Sequence, residues 1–312
     1  MKYIFLLTLA FIVNTSFASD STYTEKPVTL TTKTGDIQGS MMLPLNKTSV
    51  PVVLIISGSG PTDRDGNNPM MKNNSLRMLA EALANKGIAS VRYDKRGIAA
   101  STPSGKAESD LRFDFYVQDA RDWVGMLKKD KRFSKVFIAG HSEGSLIGMI
   151  AAQGADGYIS IAGAGFPADE VLRKQLAQLP DAVKDQVFSM MDSLKAGKEL
   201  KDVDPSLYSL FRPSVQPYMI SWFKYNPQTE IKKLTVPILI IQGTTDIQVG
   251  VEDAKSLSAA APKAQLHIIE GMNHIFKKAG DDKQENIKTY NDPKLPIVEE
   301  LPAAIAGFIL GH

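Results

Sequence analysis

Gly140-His141-Ser142-Glu143-Gly144 sets a serine between two glycines, after the apolar run Lys135–Ala139 and before the helix-forming stretch Ser145–Ala152. In a strand-turn-helix context this G-x-S-x-G spacing is a nucleophile elbow. The turn strains its apex, so the flanking positions must lack bulk, and the serine Oγ projects over the positive end of the following helix. Such a hydroxyl suits nucleophilic acyl transfer once a base removes its proton. The bland alternative is a serine in a tight turn, and the strand before it and apolar helix after it weigh against that.

The chain has four histidines to supply a base. His141 sits inside the elbow, beside the serine rather than facing it. His267 falls mid-strand in Gln265–Glu270, where a satisfied face or core histidine is the better expectation, and His312 is the final residue. His274 lies in the loop Gly271-Met272-Asn273-His274, just past the last strand and at the same sheet edge as the elbow. A carboxylate should orient that imidazole and stabilise its protonated form. Asp246, in the loop Gln242–Asp246 after the run Val236–Ile241, is placed for this; Asp253 competes but falls in a helical pattern. Developing charge on a carbonyl oxygen needs two backbone donors. Glu143, next to the serine, offers one. The loop Ser57-Gly58-Ser59-Gly60-Pro61 offers the other, with Ser59 the first choice and Gly60 the second. A phosphate-cradling reading of that loop lacks the Gly-Lys-Ser/Thr it requires. No metal-ligand spacing and no G-x-G-x-x-G opening a helix are found, so no metal and no cofactor are expected.

The elements that must hold these loops are short apolar strands alternating with helical patterns, which predicts a mostly parallel sheet covered on both faces. The strands are expected at Val50–Ile56, Ile88–Tyr93, Lys135–Ala139, Tyr158–Ala162, Val236–Ile241 and Gln265–Glu270. Upstream, Pro27–Thr32 and Asp36–Leu43 flank a turn at Thr34-Gly35 and read as an antiparallel hairpin. Ser75 is expected to cap a helix with Leu76, Leu79 and Leu83 on one face, ended by Gly87. Phe113, Val117, Ala120, Val124 and Leu127 make the apolar stripe of the next helix. Pro167–Gln228 breaks the alternation: it holds no convincing strand and is helical, then rich in aromatics. It reads as an inserted helical lid, about 167–228, between two sheet strands, or else as a long crossover with a small core of its own. Gly60, Met219 and Trp222 are the residues expected to touch substrate, with Met190, Met191, Tyr218 and Phe223 as further pocket candidates.

Composition bounds the rest. With 43% hydrophobic and 22% charged residues in 312, the chain is long enough for one large domain with an insertion. A net charge of +2, from 36 basic and 34 acidic residues that are scattered, gives no footprint for nucleic acid. Residues 1–18 read as a signal peptide: Lys2, the apolar Ile4–Val13, then Ser16-Phe17-Ala18 at a cleavage point. An N-terminal anchor or a first strand is the alternative, although the run is shorter than the about 20 residues a bilayer span needs. Export to the periplasm, or second to the medium, is expected, with residues 19–312 as the mature domain. Cysteine is absent, so the mature fold must be held by its core.

Read with these residues in place, the chain resembles the α/β-hydrolase superfamily over nearly all of its mature length. More narrowly it is similar to EstD-type bacterial carboxylesterases and the neighbouring hydrolases grouped with serine aminopeptidases. That resemblance rests on SGSGPTDRDGNN (Ser57–Asn68), YDKRGIAAS (Tyr93–Ser101), GHSEG (Gly140–Gly144), GTTDIQV (Gly243–Val249) and MNHIFK (Met272–Lys277). It implies a triad of Ser142, Asp246 and His274 and an oxyanion loop around Ser59. There are departures: Ser57 stands where many relatives carry His, and Ile98-Ala99-Ala100 where a further glycine is common. Asp94 and Arg96 are expected to form a turn-stabilising ion pair. Asp63, Arg64 and Asp65 rim the site or form a solvated turn. The expected activity is hydrolysis of carboxylic esters of short to medium acyl chains through an acyl-enzyme on Ser142. A peptidase or acyl-thioesterase would use the same machinery, and a binding protein on a hydrolase scaffold is a third alternative.

Overall fold

The computed structural model describes residues 22–45, 47–105 and 107–312, so the expected signal peptide lies outside the described residues. The strands are β1 (Tyr23–Thr32), β2 (Gly35–Pro44), β3 (Val50–Ile56), β4 (Ala89–Tyr93), β5 (Phe133–His141), β6 (Gly157–Ile161), β7 (Ile238–Gly243) and β8 (Gln265–Ile269). They form one eight-stranded sheet in the order β1-β2-β4-β3-β5-β6-β7-β8. The β1–β2 hairpin joins β4 antiparallel, and every later pairing is parallel. Each strand expected from the apolar runs is present, with ends shifted by a few residues.

The helices are α1 (Ser75–Asn85), α2 (Phe113–Lys129), α3 (Glu143–Ala151), α4 (Ala168–Gln175), α5 (Asp181–Lys195), α6 (Tyr208–Phe211), α7 (Gln216–Trp222), α8 (Pro227–Ile231), α9 (Val251–Ala260), α10 (Lys283–Lys288) and α11 (Glu300–Gly311). Because β3 is covered on both faces, its side chains divide by the period of two. Val52, Leu54 and Ile56 join the core under α2, α3 and α9, while Val53 and Ile55 join the core under α1 and α11. That double burial is why the strand reads as an unbroken apolar run rather than an alternating one. α2 buries the expected stripe of Phe113, Val117, Ala120, Val124 and Leu127.

Two local expectations are corrected. Ser75 does not cap α1; it is the first helical residue, and Asn74 precedes it in the left-handed region at φ 54°. The Ser75 N–H is instead held by Asn73 Oδ1 at 2.9 Å. Asp94 and Arg96 do not pair with each other: Asp94 binds Arg64 at 2.6 Å, and Arg96 binds Asp119 at 2.5 Å. Two residues apart on a loop their side chains diverge, and each finds its partner on another segment. Ala99 occupies the left-handed region at φ 43°, a conformation that favours glycine.

Between β6 and β7 the described residues contain helices α4 to α8 and no strand. These helices carry a third, smaller core of their own, with Met190, Met191, Leu194, Phe211, Met219 and Phe223. No helix among the described residues is long and apolar enough to cross a membrane.

Candidate active site

Ser142 follows β5 and opens α3, with φ 54° and ψ −121°. A non-glycine residue in that region is strained, and it persists only where its surroundings leave no other choice. The glycines supply the room. A Cβ at Gly140 would lie 2.1 Å from the Gly144 carbonyl oxygen, and one at Gly144 would lie 2.4 Å from that of Ile56. Neither distance is physically tolerable, so both positions are closed to any side chain. The Ser142 N–H is tied to the Ile161 carbonyl at 3.0 Å, which fixes the apex to β6.

His274 and Asp246 are brought together from the loops after β8 and β7. His274 Nδ1–H donates to Asp246 Oδ2 at 2.7 Å. The same carboxylate accepts from Gln242 Nε2 (3.0 Å) and from the N–H groups of Gln248 (2.8 Å) and Val249 (3.0 Å). Burial pushes the Asp246 carboxyl upward, but the His274 ring and these backbone amides outweigh it and hold it below the usual carboxylate range. Asp246 is therefore ionised. Asp253, the competitor, is absorbed elsewhere, accepting from the N–H groups of Gly165 and Gly250.

Using Nδ1 on Asp246 leaves His274 Nε2 as the free nitrogen, and Ser142 and His274 line one cavity. Among the described residues no hydrogen bond yet joins Ser142 Oγ to that ring, a separation common before substrate tightens a site. His141 Nε2 bonds the His274 carbonyl oxygen at 2.8 Å and the two rings stand 4.7 Å apart. Burial, and then the neighbouring His274, pulls the His141 pKa down to about 3, so it is a neutral donor holding the His274 backbone. His267 pairs with Glu300 at 2.8 Å on β8, as a face histidine.

The loop after β3 approaches Ser142 closely: a Cβ on Gly58 would lie 3.2 Å from Ser142 Cβ. The Gly58 carbonyl accepts from Lys95 Nζ at 2.5 Å. No cis peptide bond occurs among the described residues. In the trans unit the N–H of Ser59 points opposite to that carbonyl, away from the buried Lys95. Lys95 Nζ also binds Glu143 Oε2 at 2.9 Å, with side-chain exposures of 1% and 3%, and Glu143 Oε1 accepts from the Tyr218 hydroxyl of α7. One ammonium group thus fastens both segments that carry the expected oxyanion donors. The N–H groups of Ser59 and Glu143 have no partner among the described residues. Lys95 was not singled out in sequence. The available signal was a lysine two residues past an apolar strand, at the edge where the other site loops emerge.

Ser142 opens onto two cavities. The first is lined by Leu146, Ala164, Phe166, Val171, Leu172 and Trp222 among others. The second includes His274, Asn73, Ser75 and Tyr290. Of the two lid residues expected at substrate, Trp222 lines the first cavity and Met219 lines neither. Met219 is 3% exposed and packs into the core of the helical segment, as do Met190, Met191 and Phe223. Gly60 is exposed, lines neither cavity and has open space around its Cα. Asp63, Arg64 and Asp65 line neither cavity; Asp63 Oδ1 instead ties the turn by accepting from the N–H groups of Asp65 and Asn67. Among the described residues no group of acidic and imidazole side chains is placed to hold a metal ion.

An eight-stranded sheet of this order, with the tight Ser142 turn after β5 and the helical segment after β6, decides the fold. The chain has the α/β-hydrolase fold. A family model described as serine aminopeptidase, S33 (Hydrolase_4), matches residues 72–201 of this chain. It is 27% identical over 270 residues to Esterase EstD of Thermotoga maritima, covering 83% of this chain and 62% of that protein. Among solved structures, Est1E from Butyrivibrio proteoclasticus aligns with TM-score 0.59 at 18% identity over 91% of this chain and 98% of its own. An esterase of Pyrococcus furiosus aligns with TM-score 0.58 at 16% identity, covering 96% of both. At those identities the structural likeness speaks for the fold alone.

Proposed function

We propose that this hydrolase cleaves carboxylic esters of short to medium acyl chains through an acyl-enzyme on Ser142. Ser142 Oγ attacks the acyl carbon while His274 Nε2 takes its proton, and Asp246 stabilises the imidazolium. The N–H groups of Ser59 and Glu143 receive the developing oxyanion. His274 then returns the proton to the leaving alcohol, and water, activated by the same ring, releases the acid. Helices α4 to α8 act as a lid over the acyl cavity; Gln175 of α4 reaches the Gln248 carbonyl at 3.2 Å, which ties this segment to the acid loop. The similarity to EstD supports the same activity.

The observation that carries ester over aminopeptidase chemistry is the state of Glu143. It is the sole acidic side chain lining either cavity among the described residues, and both its oxygens are occupied, by Lys95 and by Tyr218. An aminopeptidase needs a carboxylate available to a substrate ammonium group, whereas a neutral acyl chain needs only the apolar walls. The test is a matched panel of p-nitrophenyl butyrate, butyryl-thioester and alanyl-p-nitroanilide on the purified mature chain. Turnover of the ester, lost by several orders of magnitude in a folded Ser142→Ala variant together with fluorophosphonate labelling, is expected. Preference for the anilide would overturn the reading.

A further inference from the structure

We propose that the second cavity is the site of the leaving alcohol and that it takes a neutral polyol, a glycerol or sugar moiety. This rests on the ester reading above. The direction of the substrate follows from where the general acid stands. Ser142 lines both cavities, but His274 lines only the second. As the C–O bond of the tetrahedral intermediate breaks, the proton that His274 Nε2 took from Ser142 Oγ must reach the departing oxygen. The alcohol therefore leaves on the His274 side, and the acyl group occupies the apolar cavity under Trp222.

The chemistry of the second cavity selects the alcohol. Apart from His274 and His141, no titratable acid or base lines it except the phenol of Tyr290, and no lysine, arginine or carboxylate does so among the described residues. A charged leaving group would find no counter-ion there. Three nearly buried side chains instead hold unspent hydrogen-bonding capacity. Asn73, 1% exposed, gives Oδ1 to the Ser75 N–H, while its amide NH2 has no partner among the described residues. Ser75, also 1% exposed, uses its N–H but leaves Oγ without a hydrogen bond among the described residues. The Tyr290 hydroxyl accepts from Gln248 Nε2 at 3.3 Å, and its own proton is unspent. Hydroxyl groups on the leaving alcohol satisfy such groups; an alkyl alcohol displaces their water and returns nothing.

The experiment compares kcat/KM for ethyl butyrate, monobutyrylglycerol and 6-O-butyrylglucose, which share one acyl group. A preference of about tenfold or more over the ethyl ester, equivalent to two net hydrogen bonds, is expected for at least one polyol ester. Whichever polyol shows it identifies the source. Tyr290→Phe and Ser75→Ala each should reduce that polyol-to-ethyl ratio about threefold, and the double variant should bring it close to one. The ratio cancels any general loss of fold or activity, and neither change touches the Asn73–Ser75 backbone bond. Equal rates on all three esters, or a ratio unmoved by the double variant, would overturn the proposal while leaving the esterase reading intact. No turnover of any ester would overturn both.

Discussion

Replacing Lys95 separates two effects that the structure ties to one ammonium group. In Lys95→Met the Glu143 carboxylate, 3% exposed, loses its only cationic partner among the described residues. Breaking a buried pair from one side costs about 3–5 kcal/mol, a large share of the about 5–15 kcal/mol that holds an ordinary domain folded. The Gly58 carbonyl also loses its donor, so the peptide that aims the Ser59 N–H is no longer anchored from behind. Losing one oxyanion donor lowers kcat by about 10²–10³. The single variant mixes both losses. The informative protein is Lys95→Met with Glu143→Gln. It removes both charges, and the introduced amide keeps an oxygen for the Tyr218 hydroxyl. Most of the stability, read as a urea midpoint, should return. The carbonyl of Gly58 is still unheld, so kcat on p-nitrophenyl butyrate should stay down by about 10²-fold. KM should move by less than about threefold, because a donor used only in the transition state is not felt in ground-state binding. If kcat recovers in step with the urea midpoint, Lys95 is a structural counter-ion only and the positioning argument fails.

Three further outcomes follow from the same geometry. Trp222→Ala should shift the preferred acyl length of p-nitrophenyl esters, at about 0.8 kcal/mol per methylene accommodated or lost; Met219→Ala should instead cost about 2–5 kcal/mol of stability with the acetate-to-octanoate profile unchanged, and the reverse pattern would misplace the acyl pocket. His141, held at about 3 against an ordinary 6.5, stays neutral in the fold while the unfolded chain takes up a proton as pH falls. Stability should therefore drop as pH falls from 6.5 toward 3, and His141→Gln should flatten that slope by up to about 1.4 kcal/mol per pH unit in urea titrations; an unaltered slope would refute it. Expressed in a Gram-negative host, the chain should be recovered from the periplasm beginning at Ser19, and an intact Met1 on the exported protein by mass spectrometry would contradict the signal-peptide reading.

Legibility in the sequence followed the range over which each constraint acts. The elbow was readable because its constraint is local: Gly140 and Gly144 flank Ser142, and the space each lacks is set within a few residues and the adjoining strand end. The strands were readable because a parallel sheet buried on both faces imposes continuous apolar runs such as Val50–Ile56, whatever the details of packing. His274 emerged by elimination among four histidines, and Asp246 from a loop following an apolar strand. Only the tertiary structure decided matters that depend on where separate segments meet. Asp94 and Arg96 lie two residues apart yet pair with Arg64 and Asp119, since adjacency in the chain does not set the direction of a side chain. Met219 and Trp222 are one turn apart on α7, but one enters the core of the helical segment and the other lines the cavity beside Ser142. Their types permit either fate, and the docking of α7 chooses. The contact of Lys95 with Gly58 and Glu143 spans 37 and 48 positions. Nothing in composition or spacing marks a lysine as buried; only the folded sheet supplies the carbonyl and carboxylate that make its burial tolerable.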